Sequence, residues 1–417
     1  MVSQTSVVTD TRDTTAYDVE AVRAHFPALD GGTAFFDGPG GSQTPVAVAD
    51  AVREAMLAPL ANRGHVTAAA RNAEAIVLAC RAALADLLGA ESDEVIFGRS
   101  MTALTFDLSR TLSAGWRPGD EIVVTRLDHD ANVRPWVIAA AAAGATVRWA
   151  DFDPDTSELD VAAVAAQLTA RTRLVAVTAA SNLIGTMPDV RAIADAAHDV
   201  GAMVFVDGVH YAAHGVVDVG ELGADFFACS PYKFLGPHCG VVAGRHEVLE
   251  GLRPAKLLPS TDRVPERFEL GTLPYEVMAG ATAAVEFLAD LTPATGSRRE
   301  RLVASLGALQ GHEDALRDRL EVGLAALRGV TVHSRAARRT PTLLVTFDGR
   351  DPAEVSAALA EHGVNAPAGS FYAYEASRVL GLGDAGGLRI GLAPYTTVDD
   401  VDRLLKSLDD ALYDPDT

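Results

Sequence analysis

Short apolar runs of four or five residues alternate along the first two-thirds of the chain with stretches whose apolar positions recur every three to four residues. The first spacing predicts buried strands and the second amphipathic helices. Residues 19–26 read as a short helix ended by Pro27, and 34–36 as a strand entering the turn Asp37-Gly38-Pro39-Gly40-Gly41. Helices follow at 46–57 and 69–88, a strand at 94–97, a helix at 103–112, a strand at 121–124, a helix at 131–143 and a strand at 146–149. Further strands are expected at 174–178, 203–206, 225–229 and 241–243, with a helix at 190–200. Continuous apolar strands alternating with helices predict a mostly parallel sheet covered on both faces.

From residue 275 the pattern changes to two long helical stretches, 275–288 and 298–327. Strands near 330–333 and 342–347, a helix at 352–362, a strand at 387–391 and a helix at 397–412 complete the chain. The expected fold is therefore α/β: a large domain over 18–274 with a mostly parallel seven-stranded sheet, plus a smaller α+β C-terminal domain over 275–417. Residues 1–17 are expected to be a flexible leader, and 18–33 to pack on the smaller domain.

Charge removes several function classes. The 417 residues carry 35 Lys+Arg against 56 Asp+Glu, a net −21, and no basic run offsets this locally. Nucleic acid and anionic lipid surfaces are disfavoured partners. At 48% hydrophobic and 22% charged residues the composition is that of a globular protein. No signal peptide is evident and no apolar stretch approaches the roughly 20 residues that span a bilayer. Cys80, Cys229 and Cys239 fit neither a disulfide framework nor a zinc site. A reducing, cytoplasmic location is expected.

In doubly wound sheets ligands bind beyond the carboxyl ends of the strands, so the polar residues placed there carry the candidate chemistry. They are Arg99-Ser100-Met101-Thr102, Asp128-His129-Asp130, Ser181-Asn182, Asp207, and Cys229-Ser230-Pro231-Tyr232-Lys233. No GxGxxG or P-loop is present, the turn after Asp37 says only "tight turn", and Asp128-His129-Asp130 lacks the distant partners a metal needs. Asp207 and Lys233 behind successive strands are more specific. A lysine that forms a Schiff base with an aldehyde cofactor needs a carboxylate to keep the cofactor's pyridine nitrogen protonated, although a turn-capping aspartate and a solvated lysine would leave the same trace.

The stretches DHDANVRPW from Asp128, SNLIGTMPDV from Ser181, VDGVHYAAH from Val206 and SPYKFLGPHCG from Ser230, with Arg63-Gly64-His65 and Glu269-Leu270-Gly271-Thr272, resemble the class V aminotransferase family. Within it they resemble the cysteine desulfurase-like branch, whose members depend on pyridoxal 5'-phosphate and adopt fold type I. By this resemblance Lys233 would carry the Schiff base, Asp207 would pair with the pyridine nitrogen, and His129 would stack on the ring and relay protons. Asn182 and His210 would lie near the ring's phenolic oxygen. Thr102, the Met101 backbone and Ser230 would hold the phosphate, together with Tyr232 where desulfurases place His. Thr272 would reach the phosphate of the other subunit of a homodimer, and Arg389 would clamp the substrate carboxylate.

The resemblance breaks at one loop. Desulfurases attack sulfur with a thiolate shortly before the arginine strand. Here that loop reads Ala368-Gly369-Ser370-Phe371-Tyr372-Ala373, which puts Tyr372 at the nucleophile position, and no cysteine follows Cys239. The expected function is a pyridoxal phosphate-dependent enzyme acting on a small amino acid or derivative, by a desulfurase-like elimination without a protein persulfide, with Tyr372 or His129 as acid. Transamination, epimerisation and a non-enzymatic scaffold are the alternatives.

Overall fold

A computed structural model describes residues 17–413; all of the leader expected at 1–17 except Tyr17 lies outside the described residues. The strands are β1 (Ala34–Phe35), β2 (Val95–Gly98), β3 (Glu121–Thr125), β4 (Thr146–Ala150), β5 (Thr172–Thr178), β6 (Met203–Asp207), β7 (Phe226–Cys229), β8 (Gly240–Gly244), β9 (Val330–Val332), β10 (Thr342–Phe347), β11 (Val364–Asn365), β12 (Ala368–Gly369) and β13 (Gly387–Gly391).

Seven of them form the large sheet, in the order β2-β8-β7-β6-β5-β3-β4. Neighbours are parallel except where β8 meets β7 and β2. Successive residues of each central strand enter opposite cores. Val175, Val177, Val204, Val206 and Phe227 face one, while Leu174, Ala176, Phe205 and Phe226 face the other. Burial on both faces is why these strands read as unbroken apolar runs. Helices Ala68–Leu88, Val190–Asp199 and Tyr275–Ala289 cover the first face, and Met101–Ser113 and Arg134–Ala143 the second, where Trp136 is fully buried. Each Val, Leu or Phe side chain buried this way contributes about 1.5–3 kcal/mol.

A four-stranded antiparallel sheet, β12-β13-β10-β9, makes a third core with helices Pro352–Glu361 and Val398–Tyr413 and the end of Arg298–Ala326. Near the N-terminus Arg23 pairs with Asp400 at 2.9 Å, Tyr17 donates to the Pro394 carbonyl at 2.7 Å, and Phe26 packs on Tyr395.

Two helix starts differ from the sequence expectation for local reasons. The helix expected from 103 begins at Met101, because the Ser100 hydroxyl caps it by accepting from Ala103 N at 3.1 Å. The helix expected from 131 begins at Arg134, because residues 130–132 form a separate turn that His129 caps through Nδ1. The short helices Val161–Ala165, His246–Gly251 and Tyr374–Val379, and strands β11 and β12, lie outside the elements the sequence pattern predicts. Such one- or two-turn elements lack enough periods to register in sequence. Among the described residues no helix is long and apolar enough to cross a membrane.

Candidate active site

Because β2, β3, β5, β6 and β7 point the same way, the loops leaving their carboxyl ends gather on one edge of the sheet. They wall a cavity of about 580 Å³ that the turn after β1, Arg389 of β13 and the 370–372 loop close from the side of the smaller sheet. Lys233, Asp207, His129, His210, Asn182, Met101, Thr102, Ser230, Tyr232, Tyr372 and Arg389 all line it. Thr272 does not; it is exposed elsewhere on its own chain.

Lys233 donates from Nζ to the carbonyls of Pro39 and of Gly40, the latter at 3.0 Å, and lies over the Tyr232 ring. Burial, helped by the charge of Arg389, brings its ammonium down to about 8, so a useful fraction of nucleophilic amine exists near neutral pH. Asp207, 4% exposed, accepts from Val209 N at 3.0 Å. Burial raises its carboxyl to about 6 against that hydrogen bond and the Lys233 charge, leaving it largely ionised at neutral pH. Asp128 lies deeper, accepting from Thr125 and from Asn132 at 2.7 Å. Burial lifts it to about 8, so beside Asp207 it is mostly protonated.

His129 Nδ1 accepts from the Ala131 backbone N–H at 3.0 Å. A backbone amide can only donate, so the ring proton sits on Nε2. Burial, with Lys233 next, lowers this imidazole to about 4, and it is a neutral, flat wall of the cavity. The Tyr372 ring lies 5.6 Å from it. Phe371 and Tyr372 both hold positive φ, 52° and 59°, a conformation that costs a non-glycine residue roughly 1 kcal/mol or more. Two bonds pin the loop there: Asp130 N donates to Tyr372 O at 2.8 Å, and Asn182 Nδ2 to Phe371 O at 2.9 Å. Tyr232 stacks on His238 at 4.7 Å. His210 Nε2 lies within hydrogen-bond distance of the Thr340 and Thr342 hydroxyls, at 2.9 and 3.0 Å.

The glycine turn after β1 does more than reverse the chain. Asp37 pairs with Arg389, Pro39 and Gly40 hold Lys233, and a Cβ on Gly38 would lie 2.3 Å from the Leu392 carbonyl, so the turn fits against β13 only as glycine. Phe371 and Arg134 also line the cavity unforeseen. The cue available was position: Asp37 directly follows the apolar run 34–36, as Asp207 follows the run 203–206. The segments around Arg63 and Glu269 meet away from the cavity, where Arg63 bonds Glu74 and Glu266, and Arg81 bonds Glu269 at 2.7 Å.

The cavity fits pyridoxal phosphate. The free N–H groups opening helix Met101–Ser113, with Thr102 and Ser230, suit a phosphate. Close approach there requires Gly240, whose Cβ would sit 2.1 Å from Met101 N. Asp207 and Lys233 suit a pyridine nitrogen and an aldehyde, and Asn182 Oδ1 is buried without a hydrogen-bond partner among the described residues.

Comparison with known proteins agrees in extent. The Aminotransferase class-V family profile matches residues 34–404. The uncharacterized protein MT3887 of Mycobacterium tuberculosis is 34% identical over 94% of this chain and 99% of its own length. The aminotransferase-like protein FGM3 of Gibberella zeae is 32% identical over 94% and 98%. The crystal structure of the Escherichia coli cysteine desulfurase CsdA superposes with a TM-score of 0.85 at 29% identity, covering 95% of this chain and 99% of that one.

Proposed function

The chain belongs to the class V aminotransferase family of pyridoxal phosphate-dependent enzymes, and from that premise we propose that it labilises a bond at or next to the α-carbon of a small amino acid or derivative, by elimination without a protein persulfide. The observation that carries the reading is the convergence of Lys233 and Asp207 in one cavity whose described lining contains no cysteine. Cys80, Cys229 and Cys239 are buried in one core on a face of the sheet, Cys229 as the last residue of β7.

Lys233, Asp207 and His129 would hold the cofactor at its aldehyde, ring nitrogen and ring face; Met101, Thr102, Ser230 and Tyr232 at its phosphate; and Asn182 and His210 at its phenolic oxygen. When bound, that group supplies an electron sink for the substrate's α-carbon. Asp207 keeps negative charge at the base of the cavity. Arg389 orients the substrate through its carboxylate. Lys233, neutral in part near pH 8, takes a proton as base and returns it as acid. His129 offers Nε2–H, and Tyr372 its phenol, as donors to a leaving group. Phe371 and Tyr372 line the cavity beside these groups.

Transamination is the second reading, favoured by the absence of any need for a thiol or a leaving group, with epimerisation behind it. A scaffold role is opposed by retention of the Lys233–Asp207 pair. We further infer a cytoplasmic homodimer in which Thr272 reaches the partner's site. Its exposure supports this, as do exposed Leu257, Leu258 and Leu270 nearby in sequence. The test is an amino-acid screen on the borohydride-sensitive yellow protein, with products identified by mass. An elimination product, such as pyruvate with a released β-substituent, supports the proposal; a keto acid formed only with an acceptor keto acid overturns it in favour of transamination.

A further inference from the structure

The cavity continues outward. A hollow of about 590 Å³, lined by Asp130, Arg134, Ser370, Phe371, Tyr372 and Tyr374, adjoins it, and Asp130, Arg134, Phe371 and Tyr372 line both spaces. Phe371 links them: the Arg389 guanidinium lies 3.6 Å from the centre of its ring, and the same residue borders the hollow. A substrate clamped at Arg389 by its α-carboxylate therefore has this hollow as the continuation of its space. The groups lining it are those that the substrate's own side chain would meet.

The chemistry above leaves the charged pair at that boundary without a role. Arg134 opens helix Arg134–Ala143 and donates from Nη2 and Nε to Asp130 Oδ1, at 2.8 and 3.2 Å. Asp130 Oδ2 is only 3.4 Å from Nε, and the bonds of Arg134 to described residues run from Nε and Nη2. Nη1 can thus take a further acceptor and Oδ2 a further donor. The two side chains are 38% and 30% exposed, so a ligand can reach both.

Neighbouring charges decide which ligand suits the pair. Glu375 lies 3.6 Å from Arg134 and 2.6 Å from Arg126, which also meets Asp151 at 2.6 Å. A lone anion drawn to Arg134 would have Asp130 and Glu375 beside it, and a lone cation drawn to Asp130 would have Arg134 beside it. A group that carries both charges on one carbon finds both partners at once. It closes a ring of alternating charge without breaking the existing pair.

We propose that Arg134 and Asp130 form a specificity site for a second amino-acid head, carboxylate to Arg134 and ammonium to Asp130, so that the preferred substrates are amino acids whose β- or γ-substituent ends in another α-amino-acid group. The inference deepens the reading of the inner cavity as an amino-acid site with Arg389 as its clamp and rests on it, but it does not depend on which bond then breaks.

Calorimetry on the pyridoxal phosphate-loaded protein, with four amino acids that carry no leaving group, tests it. LL-2,6-Diaminopimelate presents both distal charges, L-2-aminopimelate the distal carboxylate, L-lysine the distal ammonium, and L-norleucine neither. The diaminopimelate should bind about tenfold more tightly than lysine or aminopimelate, and the advantage should shrink as salt is raised, because the pair is partly exposed. In Arg134→Gln its advantage over lysine should fall toward one, and in Asp130→Asn its advantage over aminopimelate should do so. A pair that merely ties the turn to the helix would shift all four constants in step and leave these ratios unmoved, which overturns the proposal. Tightest binding of lysine or of aminopimelate by the parent would overturn it too, by showing a site for a lone charge. If a variant does not fold, the parent's ratios decide. Equal binding of all four ligands sinks this proposal alone, whereas binding of none sinks the amino-acid reading of the inner cavity and this proposal with it.

Discussion

Arg389 donates from Nη2 to Asp37 Oδ1 at 2.7 Å while its guanidinium lies 3.6 Å from the centre of the Phe371 ring. The arginine is 2% exposed, also donates to the Asn182 carbonyl at 3.2 Å, and its Nε has no partner among the described residues. A substrate carboxylate would therefore meet a guanidinium whose charge Asp37 already offsets. Arg389→Lys should raise the apparent dissociation constant of an amino acid roughly tenfold to a hundredfold, because a point charge replaces a planar fork. Asp37→Asn should lower it, by removing the competing carboxylate. Spectral titration of the bound cofactor measures both, and unchanged constants would move the clamp elsewhere.

Lys233 gives a pH prediction. Its ammonium is brought down to about 8, chiefly by burial and then by Arg389. Below that pH the amine is protonated and cannot attack an aldehyde. Covalent capture of added pyridoxal phosphate by cofactor-stripped protein should accelerate about tenfold per pH unit up to about pH 8, then level off. Stopped-flow absorbance follows it. Lys233→Ala should give no borohydride-stable adduct, and an adduct at the parent level would remove the assignment.

Asp128 gives a stability prediction of opposite character to most carboxylates. Burial raises it from the ordinary 3.8 to about 8, so the folded protein holds a proton that the unfolded chain has lost. The stabilisation is complete below about pH 4 and disappears as pH rises toward about 8. Asp128→Asn mimics the protonated form, so the melting temperature of the parent should fall relative to this variant between pH 5 and pH 8. Parallel curves over that range would show that Asp128 is ionised throughout.

The thiols and Tyr372 separate the proposed chemistry from a persulfide mechanism. Burial pushes Cys80 up to about 12 and raises Cys229 and Cys239 as well. Thiolate is therefore scarce, and native protein should alkylate far more slowly than unfolded protein. Replacing all three by Ala should preserve turnover at some loss of melting temperature. Tyr372→Phe should reduce kcat if the phenol protonates the leaving group, whereas Tyr372→Gly should also relax a positive-φ position. Intact-mass detection of a sulfur adduct on a cysteine after substrate addition would sink this reading.

The sequence alone determined the seven strands of the large sheet, because burial on both faces writes the central ones as continuous apolar runs, and it marked the polar residues that follow them. Since parallel strands end on one edge, Asp207, Asn182, His129 and Lys233 had to come together once those strands were recognised. Ordered motifs added the family. What the sequence could not decide is everything that depends on how the smaller sheet meets that edge. Arg389 and Asp37 are 352 residues apart, Glu313 and His214 are 99 apart, and Asn182 holds the Phe371 carbonyl across 189. No local periodicity encodes such pairs. They exist because three separate cores pack together, and only that packing aligned a buried guanidinium with one carboxylate and a buried imidazole with another.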